Sequence, residues 1–220
     1  MSKCAIIVSG GTLDEALAFE TLREYEEPCV IGVDRGVEFL YHHKIRPNYI
    51  VGDFDSLPEE IVTYYKERND VPIREFNPVK DATDTEIAVR LGMTLGCSKL
   101  IILGATGGRL DHFIGNMGLL GYGRQKGVNV ILADAQNYIC LVENGYIIRK
   151  DSQFGKYISF FAAGETVEGL TLKGFKYPLD HYRLTTDNCG RTVSNEIQEE
   201  KAKVLYEKGS LLMIMSRDLK

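Results

Sequence analysis

The sequence predicts an α/β protein: a mostly parallel sheet with helices on both faces in the N-terminal part, then an antiparallel β-sandwich. Three observations predict it. Short apolar runs alternate with segments of helical period up to about residue 136. Each of those runs stops at a Gly or an Asp. Beyond that point the helical period fades and short β-like runs follow one another through turn signals. These features divide the chain into domains at 1–136 and 137–220.

The first apolar run, 4–8, ends in Ser9-Gly10-Gly11. The next, 29–33, ends in Asp34, and Ile50-Val51 precedes Gly52-Asp53. Residues 100–103 precede Gly104, and 128–133 precede Asp134. Continuous apolar runs of this length, bounded by turn residues, suit strands covered on both faces. Helices are predicted over 38–43, stopping before Pro47, over 58–68, over 83–95 and over 110–125. The third carries Ile87, Leu91 and Leu95 on one stripe, and the fourth carries Phe113, Ile114, Met117 and Leu120. Strand–helix alternation of this kind gives a Rossmann-like parallel sheet. In the second part, strands are predicted at 138–142, 146–149, 157–162, 166–172 and 211–216. Residues 196–208 read as a weak helix or as strands.

Composition narrows the function. The chain has 220 residues, 44% hydrophobic and 26% charged, as in ordinary soluble globular proteins. A net charge of −5 argues against a nucleic-acid partner or an anionic membrane surface. No run approaches the ~20 apolar residues of a membrane span, and the run at 4–8 is too short for a signal peptide. Five cysteines, with no C-x-x-C spacing, suit reduced thiols. Cys4, Cys29, Cys97 and Cys140 read as small core residues. The expectation is a cytoplasmic protein.

The placement of the aspartates points to chemistry. Ligands of open parallel sheets bind outside the carboxyl ends of the strands. Asp34 follows one predicted strand, Asp53 and Asp55 follow another, and Asp111 lies in the loop after 100–103. Asp53 and Asp55 point the same way in extended chain, about 6–7 Å apart at Cα. Asp81 and Asp84 share a face in a first helical turn, with Asp81 as the N-cap and Asp84 at the third position. So many carboxylates need a counter-charge. Oxygen-only ligands select a hard cation such as Mg²⁺, which takes its remaining ligands from phosphates and water. Gly10, Gly11, Gly104, Gly107 and Gly108 allow close backbone approach to a ligand, and Arg109 can grip a phosphate. There is neither a G-x-x-x-x-G-K-[ST] loop nor a G-x-G-x-x-G after a strand, which excludes P-loop and ordinary dinucleotide readers.

Four strings occur in order: Gly32-Val33-Asp34-Arg35-Gly36, Gly52-Asp53-Phe54-Asp55-Ser56, Lys80-Asp81-Ala82-Thr83-Asp84, and Gly104-Ala105-Thr106-Gly107-Gly108-Arg109-Leu110-Asp111-His112. With Gly174 to Leu179, Ser194-Asn195-Glu196 and Gly209 to Leu212, they resemble the thiamine pyrophosphokinases over nearly the whole chain. The resemblance implies an N-terminal α/β domain, a C-terminal β-sandwich and a homodimer with active sites at the subunit interface. It implies that Asp53, Asp55, Asp84 and Asp111 are the catalytic and Mg²⁺-binding set. It places Asp34, Arg35, Gly36, Lys80, Asp81, Thr106, Gly107 and Arg109 along ATP, and Asp84, Ser194 and Asn195 at thiamine. Arg35 departs from the small residue of many members, and the tryptophan of the eukaryotic members is missing. Tyr177 and Phe175 are the candidates for packing on the thiamine rings.

The implied reaction is attack of the thiamine hydroxyl on the β-phosphorus of ATP, with AMP leaving and Asp84 or Asp111 as a possible base. Two rivals stand beside it: pyrophosphoryl transfer to another alcohol such as a hydroxymethyl-pterin, and a non-catalytic nucleotide- or thiamine-binding sensor.

Overall fold

The structure, a computed structural model, describes residues 3–52, 57–68, 71–75, 82–164 and 166–218. The chain forms two compact units, Met1–Asp134 and Ala135–Lys220.

In the first unit the strands are β1 (Cys4–Val8), β2 (Cys29–Val33), β3 (Tyr49–Gly52), β4 (Ile73–Glu75), β5 (Lys99–Leu103) and β6 (Asn129–Ala133). They lie in the order β4-β3-β2-β1-β5-β6, and every pairing among them is parallel. The helices are α1 (Glu15–Glu24), α2 (Gly36–His42), α3 (Glu59–Arg68), α4 (Asp84–Thr94) and α5 (Leu110–Gln125). They cover both faces of the sheet. Gly32 of β2 lies under Leu40 and Val37 of α2, while Gly92 of α4 sits on Leu100 and Ala5. Gly32 pairs with Val8, and Leu100 pairs with Ala5. Val8 and Ala5 are three apart on one strand, so they point to opposite faces. That double cover explains why β1 has no polar alternation: Ala5, Ile6, Ile7 and Val8 are all fully buried.

Strand order reverses between β1 and β5. β2, β3 and β4 build outward on one side of β1, and β6 builds on the other side of β5. A crevice opens at such a switch point, outside the carboxyl ends of the strands.

The second unit is all β: β7 (Asn137–Val142), β8 (Tyr146–Arg149), β9 (Tyr157–Ala162), β10 (Thr166–Lys173), β11 (Leu179–Thr185), β12 (Lys201–Leu205) and β13 (Leu211–Ser216). β13 runs antiparallel between β7 and β9. The other sheet has the order β11-β10-β12-β8, also antiparallel. Phe160 of β9 meets Phe175, which follows β10, edge-on at 5.7 Å between ring centroids, and both are buried.

Several elements differ from the sequence reading. α1 is an additional helix, started by Asp14, whose side chain accepts from the Leu17 N–H at 2.8 Å. β4 and β11 are additional strands, and of the two readings of 196–208 the strand holds, at residues 201–205. The N-cap of α4 is Thr83, not Asp81: its hydroxyl accepts from the Glu86 N–H at 3.2 Å, which leaves Asp84 as the first helical residue.

All five cysteines are free thiols, and burial pushes Cys4 and Cys29 up to about 11. Native protein titrated with Ellman's reagent at pH 8 should therefore show one fast thiol, the half-exposed Cys189. The four buried thiols should react only on denaturation. Fast release from three or more thiols in the native state contradicts this packing.

Candidate active site

The carboxyl edge of the parallel sheet is built by backbone pressed on backbone. Past the end of β1, the Ser9 N–H donates to the Leu103 carbonyl at 2.9 Å and the Gly11 N–H to the Gly104 carbonyl at 3.0 Å. The β1–β5 ladder thus runs on into the two loops. Gly104 has φ 70° with the Ser9 carbonyl 2.5 Å from where a Cβ would stand. Gly107 faces Thr12, whose Cβ lies 2.6 Å from a Cβ built there. Both positions leave no room for a side chain.

The β2 loop joins them. Asp34 holds a left-handed backbone, φ 47°, and its N–H donates to the Val51 carbonyl at 3.3 Å. Its carboxylate leans over the end of β3, with Oδ1 2.5 Å from a Cβ built on Gly52. Arg35 is exposed and 3.8 Å from Glu38. Gly36 is buried, directly against the Val8 carbonyl, and begins α2. A cavity of about 600 Å³ opens here, lined by Ser9, Gly10, Gly11, Arg35, Gly36 and Gly108 among others.

Asp84, half-buried, comes to the same edge at the start of α4. Its neighbour Thr85 ties that helix to the β1 loop: Thr85 Oγ1 and Ser9 Oγ are 2.8 Å apart, and both residues are buried. On the β5 side, Thr106 and Gly107 are half-buried, while Arg109 and Asp111 are exposed. Arg109 grips Asp111 with two bonds, Nε to Oδ1 at 3.1 Å and Nη2 to Oδ2 at 2.5 Å. The His112 N–H donates to Asp111 Oδ1 at 2.9 Å. The guanidinium, first, and this N–H hold the Asp111 carboxyl down at about 2. One buried side chain braces the loop from α5: Asn116 Nδ2 donates to the Ala105 carbonyl at 2.9 Å.

Asp53, Asp55, Lys80 and Asp81 lie outside the described residues. Among the described residues, no three acids, histidines or cysteines converge as a ready cation site. The donor chemistry still fits a hard cation, since Asp34, Asp84 and Asp111 offer only carboxylate oxygen.

In the second unit, Asn195 is fully buried and its side-chain amide is committed. Its Oδ1 accepts from the Tyr177 N–H at 3.0 Å and the Glu196 N–H at 2.9 Å, and its Nδ2 donates to the Tyr177 carbonyl at 2.7 Å. Its backbone exchanges two hydrogen bonds with Ile158 at 2.7 and 3.0 Å. Ser194 beside it is exposed, with a left-handed backbone of φ 56°. Tyr177 is 55% exposed, whereas Phe175 belongs to the core. Lys176 lies 3.0 Å from Glu196 and lowers that carboxyl.

Ser9, Thr85 and Asn116 were not singled out from sequence. For Asn116 a signal was available: it is a lone polar residue between Phe113 and Leu120 on an otherwise apolar part of α5.

A parallel α/β sheet with glycine turns, an arginine fork and carboxylates at its switch point, followed by an all-β unit, defines a class: α/β enzymes that handle phosphate groups. Comparison with known proteins places the chain within that class. Residues 23–132 match the family model described as the thiamin pyrophosphokinase catalytic domain, and 145–211 match the thiamin pyrophosphokinase vitamin B1 binding domain. The thiamine pyrophosphokinase of Bacillus subtilis is 36% identical over 194 residues, covering 88% of this chain and 89% of the relative. Its crystal structure superposes with a TM-score of 0.88, covering 99% of this chain and 100% of that one. The crystal structure of the thiamin pyrophosphokinase from Geobacillus thermodenitrificans, 35% identical, gives 0.83 over 98% of both chains. The chain belongs to the thiamin pyrophosphokinase family. No helix among the described residues is long and apolar enough to cross a membrane.

Proposed function

We propose that this enzyme transfers the pyrophosphoryl group of ATP to the hydroxyl of thiamine. The observation that carries the reading is the meeting of the β1, β2 and β5 loops at one sheet edge, with Asp34 and Asp84 beside them. The hydroxyl oxygen attacks the β-phosphorus, the bond from that phosphorus to the α–β bridging oxygen breaks, and AMP departs with the electron pair. Such a reaction is helped mainly by positioning and by charge placed against the phosphate oxygens.

In this reading Thr106, Gly107 and Arg109 lie along the nucleotide, with Asp34, Arg35, Gly36, Lys80 and Asp81 around it. Asp53, Asp55, Asp84 and Asp111 would hold Mg²⁺, which when bound offsets charge on the triphosphate. The Arg109 guanidinium holds the Asp111 carboxyl low, which suits it to act through charge; Asp84 or Asp111 would accept the hydroxyl proton. The same carboxylates attract thiamine's cationic thiazolium. Residues 1–134 then form the ATP and Mg²⁺ unit, and 135–220 the thiamine unit. Ser194 and Tyr177 are exposed for contact with thiamine; Asn195 holds Tyr177 from beneath, and the Ser159 hydroxyl accepts from the Ser194 N–H.

The test is AMP production from ATP, Mg²⁺ and thiamine, run beside a hydroxymethyl-pterin. AMP with thiamine alone supports the reading. AMP only with the pterin, or thiamine binding without AMP, sinks it. The family match favours neither rival.

We further propose a homodimer whose interface borders the active site, in the cytoplasm, where free thiols persist. Leu110 and Ile114 flank Asp111 on α5 and are 73% and 68% exposed, a large apolar surface to leave in water beside a reacting centre. Ile114→Glu should give a monomer by light scattering and cut turnover by roughly tenfold or more, as burying an unpaired charge disfavours association. A dimer of full activity would remove this interface.

A further inference from the structure

The loop between β5 and α5 carries Thr106, Gly107 and Arg109, which the proposed function sets along the nucleotide. Its first residue, Gly104, is fixed to the β1 loop through the Gly11 N–H. Its last, Arg109, leads into α5 and holds Asp111. Between these ends the backbone turns through Gly108 with φ 93°, and a Cβ on that glycine would meet nothing within 4 Å. Neither end alone fixes Thr106.

Gly107 packs on Thr12, and Asn116 supplies the directional support on the other side of Thr106. It sits one and a half turns into α5, is 8% exposed, and donates across eleven residues to the Ala105 carbonyl at 2.9 Å. Ala105 is itself 3% exposed, so water cannot take over that bond. A mid-helix asparagine has poor helix propensity and gains nothing by burial without a partner. Its partner here is the residue immediately before Thr106. The same helix carries Asp111 in its first turn. One rigid element therefore sets both the carboxylate and the loop it faces.

We infer that Asn116 is a positioning residue for the nucleotide: its side-chain amide fixes the Ala105 carbonyl, and through it the Thr106–Gly107 backbone, in register with Asp111. The inference rests on the reading of this loop as the nucleotide loop. It adds a residue outside the acidic set and the glycine turns, acting through the loop rather than on a phosphate.

Steady-state kinetics on Asn116→Ala test it, with thermal melting alongside. The Michaelis constant for ATP should rise about tenfold or more, since displacing a binding loop by about an ångström is enough for such a loss. The constant for thiamine should stay within about twofold. Leu120→Ala is the control, a buried α5 residue one turn beyond Asn116; it should lower the melting temperature and leave the ATP constant alone. If Asn116→Ala does not fold, Asn116→Ser, whose hydroxyl stops short of the carbonyl, carries the same measurement. An unchanged ATP constant in the Asn116 variant, or an equal rise in Leu120→Ala, overturns the inference. Gly107→Ala separates the two levels. If it leaves the ATP constant unmoved, the loop reading falls and the inference with it. If it raises that constant while the Asn116 variant does not, only the role of Asn116 falls.

Discussion

Asp84→Asn should lower turnover by two to three orders of magnitude while the protein melts within a few degrees of wild type. The two halves of this expectation have separate causes. α4 is capped by Thr83, whose hydroxyl accepts from Glu86 N–H, so the helix does not rely on Asp84 to begin. A first-turn acid contributes about 0.3–1 kcal/mol through the helix dipole. For a chain of this size that moves the melting temperature by roughly 1–4 °C. The activity loss comes from removing one negative charge from a site proposed to gather a cation, a triphosphate and a thiazolium. Removal of one preorganised electrostatic group in such a site costs on the order of 10²–10³ in rate. Turnover within about threefold of wild type, measured as AMP release at saturating Mg²⁺, would show that Asp84 is an ordinary first-turn acid.

The second large effect belongs to the other unit. Asn195→Ala should lower stability by about 2–4 kcal/mol and raise the Michaelis constant for thiamine about tenfold, with the ATP constant little changed. The alanine would leave the N–H and carbonyl of Tyr177 and the N–H of Glu196 without the amide that now satisfies all three. Buried polar groups deprived of a partner cost about 1–3 kcal/mol each, less wherever water reaches them. Tyr177 and Ser194 would then lose their fixed spacing. Melting of the purified variant and thiamine kinetics check the two parts independently. A tenfold kinetic change with no loss of stability would instead make Asn195 a direct thiamine contact.

The sheet of the first unit was legible because burial on both faces removes polar alternation: 4–8, 29–33 and 100–103 each became a strand. α1 escaped because its buried residues are only Leu17, Ala18 and Thr21, too small a stripe to stand out. β11 escaped because only Leu179 and Leu184 are buried, five residues apart, which leaves no alternation to read. In Asp81-Ala82-Thr83-Asp84, three residues have capping side chains, and sequence cannot say which hydroxyl or carboxylate meets the N–H three positions on. At the candidate site, the placement of Asp34 just past β2 and of Asp84 at the start of α4 was legible. Ser9 and Thr85 were not, since their partners are each other, and for Asn116 the sequence marks a lone polar residue on an apolar stretch but not its partner, a distant carbonyl. Sequence records which groups can form hydrogen bonds, but not which distant pairs the fold will join.

The hydroxyl pair of Ser9 and Thr85 has a mechanical consequence. Seventy-six residues apart along the chain and sealed from water, these two atoms make the start of α4 and the turn after β1 travel as a single piece. Any sliding of the helix during turnover must carry the first glycine turn with it, so the spacing between the Asp84 side and the glycine side of the crevice is set before a substrate arrives rather than chosen by it.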